Sequence, residues 1–504
     1  MNLNRRVPNG LPGGVRGRKF LLSPTRFLEQ DELMRKKSQT ILITLLCIAC
    51  FGAGISIPVI LNKKTAGNSK EQEKFDTIYS ILNSDWYYSN KIKNLDSKLM
   101  EQAIDGMTTL DQDAHTNYFD LEQAKAFSSS LEGSNVGLGI SFYLNENKNF
   151  VVSNVYINST ADKKGLKPQD EIISLDDLKC SENDSDTIIK YIKAHEGQNV
   201  KTKYLRDGKE YTTNLIPGTF DSTVVCNVYE DYGEIILTSF SENSGKDFSK
   251  AMSSLQEAGI KKLVLDLRNN GGGYLNAALE ISSSLIPKKS VVFKEKDKDG
   301  KFTKQMTKDE FNQVKMDKIV VLQNENTASA AEVLIGALKD NLGDTVITVG
   351  TTSYGKGTEQ VTVPFSDGTS FKYTVARWYT PKGTSINKKG FKPDVEVKLG
   401  EVKTTSYYKV KKKDVIKKDS VDDNAQALQV YLKYLGYDVD RTDTYFSNTS
   451  SQALASFQQD NRLEVTGDCD KKTWDLLMEK VLLKMNETPS DDTQRQKAIE
   501  EAQK

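Results

Sequence analysis

Three stretches of this 504-residue chain carry groups that could do chemistry without a metal. In "NENTASAAEVLIGALKD" (324–340), Ser329 stands among alanines where an apolar helix is expected to begin. A serine hydroxyl is a poor nucleophile until a base within hydrogen-bond reach takes its proton. At a helix start it would also have the positive end of the peptide dipoles and the N–H of Ala330 beside it. The plainer reading is a small residue that merely starts the helix.

In "VGTTSYGKGTEQ" (349–360), Lys356 lies between Gly355 and Gly357 after an apolar strand. Lysine serves as a base when burial strips its hydration and lowers its pKa toward neutrality. Gln360, four residues on, could orient the amine or be a surface amide. A loop lysine is ordinarily a solvated charge, so this motif is weak alone. In "VLDLRNNGGGYL" (264–275), a buried strand runs into Gly271, Gly272 and Gly273 before a helix. Bare backbone N–H groups in such a turn can point at a developing oxyanion. A phosphate site would fit the same turn, but neither GxGxxG nor GxxxxGK[ST] is present.

Other chemistries find less support. The chain has two histidines, His115 and His195, both outside the segment carrying Ser329, so a histidine-based triad would need a member from another domain. Of five cysteines, Cys47 and Cys50 fall in an apolar run, while Cys180, Cys226 and Cys469 are scattered and read as free thiols. No metal-ligand spacing and no HExxH occur, so no metal or cofactor is implied. Lys plus Arg and Asp plus Glu number 69 each, which gives no electrostatic case for a nucleic-acid partner.

The elements that must position these groups follow from composition and periodicity. The length suggests roughly two to four domains. A basic arm (1–39) runs into an uncharged apolar segment (40–61) of the length needed to cross a bilayer as a helix. The positive flank is expected to keep the N-terminus cytoplasmic and to place the rest outside the cell membrane as a single-pass protein. A cleaved signal peptide fits less well, because no small-x-small site precedes Lys63.

A polar stalk (62–74) follows, then a region of helical period (75–132) marked by Ile78, Ile81, Leu82, Leu99, Ala103 and Met107. Short alternating runs with one helical segment make 133–217 a compact α+β module. From 218 to 400, buried strands alternate with helices, predicting a mainly parallel sheet that "TVITVG" and "FKYTVARWYT" would continue. A lysine-rich linker (401–423), two or three short amphipathic helices (424–483) and a tail with too few apolar residues to pack (484–504, read as disordered) complete the chain. The fold class is therefore multidomain, α/β and α+β, with a transmembrane helix in front and a small helical domain behind.

Taken together, "DLRNNGGG", "NENTASAAEVLIGALKD", "SYGKGTEQ" and "ARWYTPKGTSINKKGFKPDVEV" resemble the C-terminal processing peptidases, serine proteases of the tail-specific type. The resemblance covers about Phe75 to Val397. It implies Ser329 as nucleophile, Lys356 as general base, Gln360 as its orienting partner, and an oxyanion hole at Gly272 or Gly273 with Ala330. Gly271 stands where the family commonly has proline, and Asn326 and Thr327 where it prefers glycine and serine. No reactive group is lost by these departures.

The segment 133–217 resembles a PDZ domain inserted before the protease core. "GLGI" (Gly137, Leu138, Gly139, Ile140) would hold a peptide's terminal carboxylate while the tail adds as a strand. Lys193 occupies the place where some members use an arginine to sense peptide, and a lysine cannot make the bidentate contact. The segment "ALQVYLKYLGYDVDRTDTYFSNTSSQALASFQQDNRLEVTGDCDKKTWDLL" resembles a peptidoglycan-binding domain, implying wall attachment or, failing that, a helical contact module.

The expectation is a membrane-anchored extracytoplasmic serine endopeptidase that processes C-terminal tails, with protein or peptide substrates, the membrane and peptidoglycan as partners, and N-terminal helices that could form a homodimer. The competing class is a non-catalytic PDZ and wall-binding scaffold. It would require loss of the serine or the lysine, and neither is missing. A cell-wall hydrolase would need paired acids or metal ligands that the sequence does not offer.

Overall fold

The computed structural model describes residues 70–504. The predicted arm, the apolar span 40–61 and most of the stalk lie outside the described residues. Among the described residues no helix is long and apolar enough to cross a membrane. The chain divides into a unit ending at Tyr118 and a unit spanning Phe119–Lys504.

The first unit contains α1 (Lys70–Ser84) and α2 (Leu95–Thr108), the helices that the period predicts. Phe75, Ile78, Ile81 and Met107 are exposed. An open apolar depression of about 380 Å³ is lined by Phe75, Met100, Ala103, Ile104 and Met107.

The second unit begins with α3 (Leu121–Glu132), started by a reciprocal Asp120–Gln123 capping box and ended by Gly133 in the left-handed region at φ 66°. Strand β1 (Ser134–Gly137) opens the inserted module. An antiparallel sheet follows in the order β2 (Ile140–Leu144), β3 (Phe150–Val155), β4 (Glu171–Leu175), β5 (Val200–Arg206) and β6 (Lys209–Leu215). Helix α4 (Ser185–Ala194) closes it by burying Ile188 and Ile192 against Phe150, Ile172 and Leu175. Strand β7 (Gly218–Asp221) then pairs with β1, so both ends of the insertion are held side by side.

The core sheet has the order β8 (Val224–Val228), β9 (Gly233–Leu237), β10 (Lys262–Asp266), β13 (Lys318–Gln323), β14 (Val346–Gly350) and β17 (Val395–Glu396). Only β8 runs antiparallel to its neighbour. Strand periodicity splits the apolar side chains between the two faces. Leu263, Leu265, Ile319 and Val321 pack under α5 (Ser244–Glu257), α6 (Leu275–Ser283) and α7 (Ala330–Leu342), while Val264, Val320 and Leu322 face the other way.

"TVITVG" joins this sheet as β14, but "FKYTVARWYT" does not. As β16 (Ser370–Tyr379) it lies in a separate antiparallel sheet between β15 (Thr358–Pro364) and β11 (Val291–Asp297), with β12 (Phe302–Met306) at the end. The polar alternation of Lys372, Thr374 and Arg377 suits a sheet with one partly solvated face, whereas a strand of a covered parallel sheet is apolar on both sides.

Two further expectations are corrected. The lysine-rich 401–423 segment is not a free linker: Val402, Val410 and Ile416 are buried in the core of the C-terminal domain beside α8 (Ala425–Leu435), α9 (Asn448–Asp460) and α10 (Lys471–Glu487). The tail is not disordered either. Residues Thr493–Gln503 form α11, whose Ala498 and Ala502 pack on Val264, Val320, Leu322 and Val349. Two alanines and Ile499 suffice because small side chains let a helix lie close to a flat valine-rich face. Charged residues elsewhere on α11 find partners, as in the Arg495–Glu234 pair at 2.5 Å.

Candidate active site

Ser329 ends the loop that follows β13 and caps α7, with φ 58° and ψ −119°. A non-glycine residue in that region is strained and is held only when its surroundings over-determine it. Here they do. The Ser329 N–H donates to Glu332 Oε2 at 2.9 Å, Ala328 N–H to the Asn270 carbonyl at 2.9 Å, and Thr327 Oγ1 to the Leu267 carbonyl at 2.8 Å.

Glu332 was missed in the sequence, although Ser-x-x-Glu at a helix start is a capping-box signature. Its fully buried carboxylate accepts four hydrogen bonds: from Ser329 N–H, from Lys356 N–H at 2.8 Å, from Gly355 N–H at 2.7 Å and from Ser353 Oγ at 2.7 Å. The carboxylate thereby pins the start of α7 to the glycine-flanked loop.

The glycines beside Lys356 have steric reasons. Gly355 has φ 86°, and a Cβ there would meet the Gly390 and Lys389 nitrogens at 2.7 Å; a Cβ on Gly357 would meet Asn387 Cβ at 2.6 Å. The Lys356 carbonyl accepts from Trp378 Nε1 at 2.9 Å. Burial holds the Lys356 ammonium below the usual lysine range, Lys372 adds to the depression, and Glu332 opposes it. The side chain is thus biased toward the neutral amine, the form able to accept a proton.

Gln360 sits on β15, where its Nε2 donates to Thr358 Oγ1 at 2.9 Å and Thr374 Oγ1 at 3.2 Å. Both amide hydrogens are thereby used, and Oε1 is the atom left to accept from an amine.

The glycine turn presses directly on Ser329. A Cβ on Gly272 (φ 96°) would meet Ser329 Cβ at 2.8 Å and Ala330 N at 2.9 Å, and one on Gly273 (φ 142°) would meet the Phe240 carbonyl oxygen at 2.2 Å. The two amides differ. Gly272 N–H is committed to Asn270 Oδ1 at 2.9 Å. Phe240 takes its bonds from the neighbours of Gly273: Phe240 N–H donates to the Gly272 carbonyl, and Tyr274 N–H to the Phe240 carbonyl. In that pattern the Gly273 N–H points away from Phe240. Ala330 N–H is in the first turn of α7, where the helix supplies no acceptor.

Asn326 and Thr327, two departures from the family pattern, are built into this junction. Asn326 Nδ2 donates to Asn269 Oδ1 at 3.0 Å, and Thr327 Oγ1 accepts from Asn324 N–H at 2.9 Å.

The positions read as peptide-binding lie in a different hydrophobic core. Gly137 pairs with Gly218. Leu138 is buried in the inserted module, and its carbonyl accepts from Ala161 N–H at 3.0 Å. Gly139 (φ 79°) admits no side chain beside Ser159, and Ile140 opens the edge strand β2. Lys193 is exposed at the end of α4. His195 caps α4, stacked on Tyr191 with Nδ1 2.8 Å from the Tyr191 carbonyl oxygen, a structural placement. Cys180, Cys226 and Cys469 are free.

Comparison with known proteins fits this layout. The model for Peptidase family S41 matches residues 231–397, the PDZ domain model 136–216 and a peptidoglycan binding domain model 421–477. A "Probable CtpA-like serine protease" of Staphylococcus epidermidis is 31% identical over 434 residues, 85% of this chain and 86% of that protein. The "Carboxy-terminal processing protease CtpB" of Bacillus subtilis is 32% identical over 430 residues, 84% and 87% of the two chains. Among solved structures, the photosystem II D1 C-terminal processing protease is similar at 24% identity with a TM-score of 0.36, covering 66% of this chain and 94% of that one. On the strength of the Staphylococcus and Bacillus sequence relatives, the chain belongs to Peptidase family S41 and is a C-terminal processing serine protease of the CtpA-like group.

Proposed function

We propose that this protease works by a Ser329–Lys356 dyad, outside the cell membrane, on the C-terminal tails of protein substrates. The observation that carries the dyad is the single Glu332 carboxylate that accepts from the backbone N–H of both residues. Neutral Lys356 takes the Ser329 proton as Oγ attacks the scissile carbonyl. The Gly273 and Ala330 N–H groups receive the oxyanion, with Gly272 shaping the turn rather than donating. The lysine then returns the proton to the leaving amine, and water, activated by the same amine, hydrolyses the acyl-enzyme. Gln360 Oε1 orients the amine.

The substrate tail is proposed to add as a strand to β2, the end strand of its sheet, with its carboxylate at Gly137–Ile140. Lys193 is the residue proposed to sense the peptide. Anchoring rests on the apolar run 40–61 behind a basic arm. Wall attachment rests on the peptidoglycan-binding match, and self-association on the exposed apolar face of α1 and α2.

Ser329→Ala and Lys356→Ala should each abolish cleavage of an unstructured peptide while the melting transition persists. Wild-type turnover by either variant would refute the dyad.

A further inference from the structure

The chain leaves the core sheet after β17, forms the C-terminal domain, and returns to the same sheet as α11. Where it returns, Asp492 caps α11 by accepting from Arg495 N–H at 3.0 Å. The same carboxylate accepts from Arg268 Nη1 at 2.8 Å, and Gln494 Oε1 lies 3.3 Å from that nitrogen. Arg268 belongs to "DLRNNGGG", directly before the turn that presses on Ser329. Its remaining face is filled by Asp266, at 2.6 Å to Nη2 and 3.0 Å to Nε. Lys403 stands 3.8 Å from Asp492, so two cations and two carboxylates form a neutral, largely buried quartet.

Buried charges hold position only when each keeps its partner. The backbone following Arg268 has little freedom of its own. Asn269 stands at φ 58°, with its N–H bonded to Asn324 Oδ1, and Asn270 Nδ2 bonds the Leu237 carbonyl while Asn270 Oδ1 holds Gly272 N–H. A shift of Arg268 therefore passes along a short loop, held by bonds at Asn269, Asn270 and Gly272, to Gly273.

We propose that Asp492 is a positioning residue for the oxyanion turn, acting through Arg268, so that the segment beyond the C-terminal domain completes the catalytic centre. This rests on the Gly273 and Ala330 oxyanion reading above. It also means that strain on the C-terminal domain, which is tethered to the core at both ends, reaches the catalytic turn.

The test uses the full chain. Asp492→Asn should lower kcat roughly 10- to 100-fold with KM changed less than about threefold, the scale expected when a catalytic group is misplaced by less than an ångström or so. It should weaken a peptide aldehyde, which mimics the tetrahedral adduct, by a similar factor, while leaving a product-like peptide unaffected. Asp492→Glu should recover most of the turnover. Arg495→Gln breaks an ion pair of the same helix to Glu234, away from the turn, and should lower the melting temperature without this kcat and aldehyde signature.

If Asp492→Asn does not fold, Gln494→Met, which removes the weaker Arg268 contact together with a bond to the Val397 carbonyl, carries the test with the same kcat and aldehyde signature at smaller size. A folded variant with wild-type kcat, or equal effects of Asp492→Asn and Arg495→Gln, overturns the proposal. Ser329→Ala separates the two claims: if it is inactive while Asp492→Asn matches wild type, only the positioning role fails, and if it is active, the dyad itself fails.

Discussion

Ser329 and Lys356, 27 positions apart by their numbers, donate their backbone N–H groups to the same oxygen, Glu332 Oε2, at 2.9 and 2.8 Å. One buried carboxylate thus fixes the separation of the two helix and loop segments from which both side chains project. Glu332→Ala would leave the Ser329, Ser353, Gly355 and Lys356 donors unpaired in a dry site. At about 1–3 kcal/mol for each orphaned donor, the expected outcome is a loss of several kcal/mol of stability and of nearly all turnover. Glu332→Gln, of the same shape but with only one acceptor oxygen, should fold and cleave roughly 10- to 1000-fold more slowly. Thermal melts and peptide-cleavage rates check both. Wild-type rates in Glu332→Gln would show that the shared acceptor is dispensable.

Activity should rise with pH as Lys356 loses its proton. Burial is the main cause of its lowered pKa and the like charge of Lys372 the second. Lys372→Gln removes that repulsion, so the lysine pKa climbs and the ascending limb of the kcat/KM profile moves to higher pH. Activity at neutral pH falls while the alkaline plateau stays. A limb that moves the opposite way, or not at all, counts against Lys356 as the titrating base. In the folded state this lysine releases its proton more readily than in the unfolded chain, so below its folded pKa it lowers stability. Lys356→Met should accordingly be inactive yet melt at a higher temperature than wild type in neutral buffer.

Gly271 and Gly272 are adjacent but should respond oppositely. No atom lies within 4 Å of a Cβ built on Gly271, and its φ is outside the left-handed range. Gly271→Ala should be tolerated and stabilise by about 0.4–1 kcal/mol through the unfolded chain. Gly272→Ala would drive a methyl to 2.8 Å from Ser329 Cβ at φ 96°. Cleavage should fall by about 100-fold or more as the oxyanion turn is forced off the serine. Side-by-side kinetics settle the contrast, and equal behaviour of the two would contradict the close approach.

Glu359, next to Gln360, is hydrogen-bonded to Glu295, and burial followed by the Glu295 charge pushes its carboxyl up to about 7 from 4.5. A carboxyl raised on folding contributes stability that is present below the unfolded value and lost as pH rises through the folded one. Glu359→Gln should therefore stabilise the fold more at about pH 9 than at about pH 5, by on the order of 1 kcal/mol, read as a larger rise in melting temperature at the higher pH. Equal shifts at the two pH values would rule out the shared proton.

The motifs were legible because each is local. A serine at a helix start, a lysine between glycines and a glycine turn after a buried strand are patterns of a few residues; the folded chain ties the first two to one carboxylate and presses the third against Ser329. The carboxylate itself is not legible in this way, because a glutamate in the first turn of a helix usually serves that helix alone. Here Glu332 also serves Ser353, Gly355 and Lys356, which approach only after β13 and β14 pair in parallel.

Similarly, "FKYTVARWYT" reads as a strand in isolation, but its sheet depends on which neighbour offers a matching half-solvated edge. The last helix shows the same limit: Thr493–Gln503 is too polar to announce a core face, and only the valine surface of the catalytic sheet makes two alanines sufficient.

By itself the sequence determined the family, the presence of PDZ and peptidoglycan-binding modules and the period of nearly every element, and it named the residues proposed to carry the chemistry, because these depend on side-chain type and short spacing. Tertiary structure alone decided which carboxylate joins the serine to the lysine, which glycine amide remains open, and that the C-terminal helix closes the catalytic sheet through Asp492 and Arg268. Those outcomes depend on contacts between segments distant in the chain, where burial and hydrogen-bond satisfaction select among arrangements that local pattern permits equally.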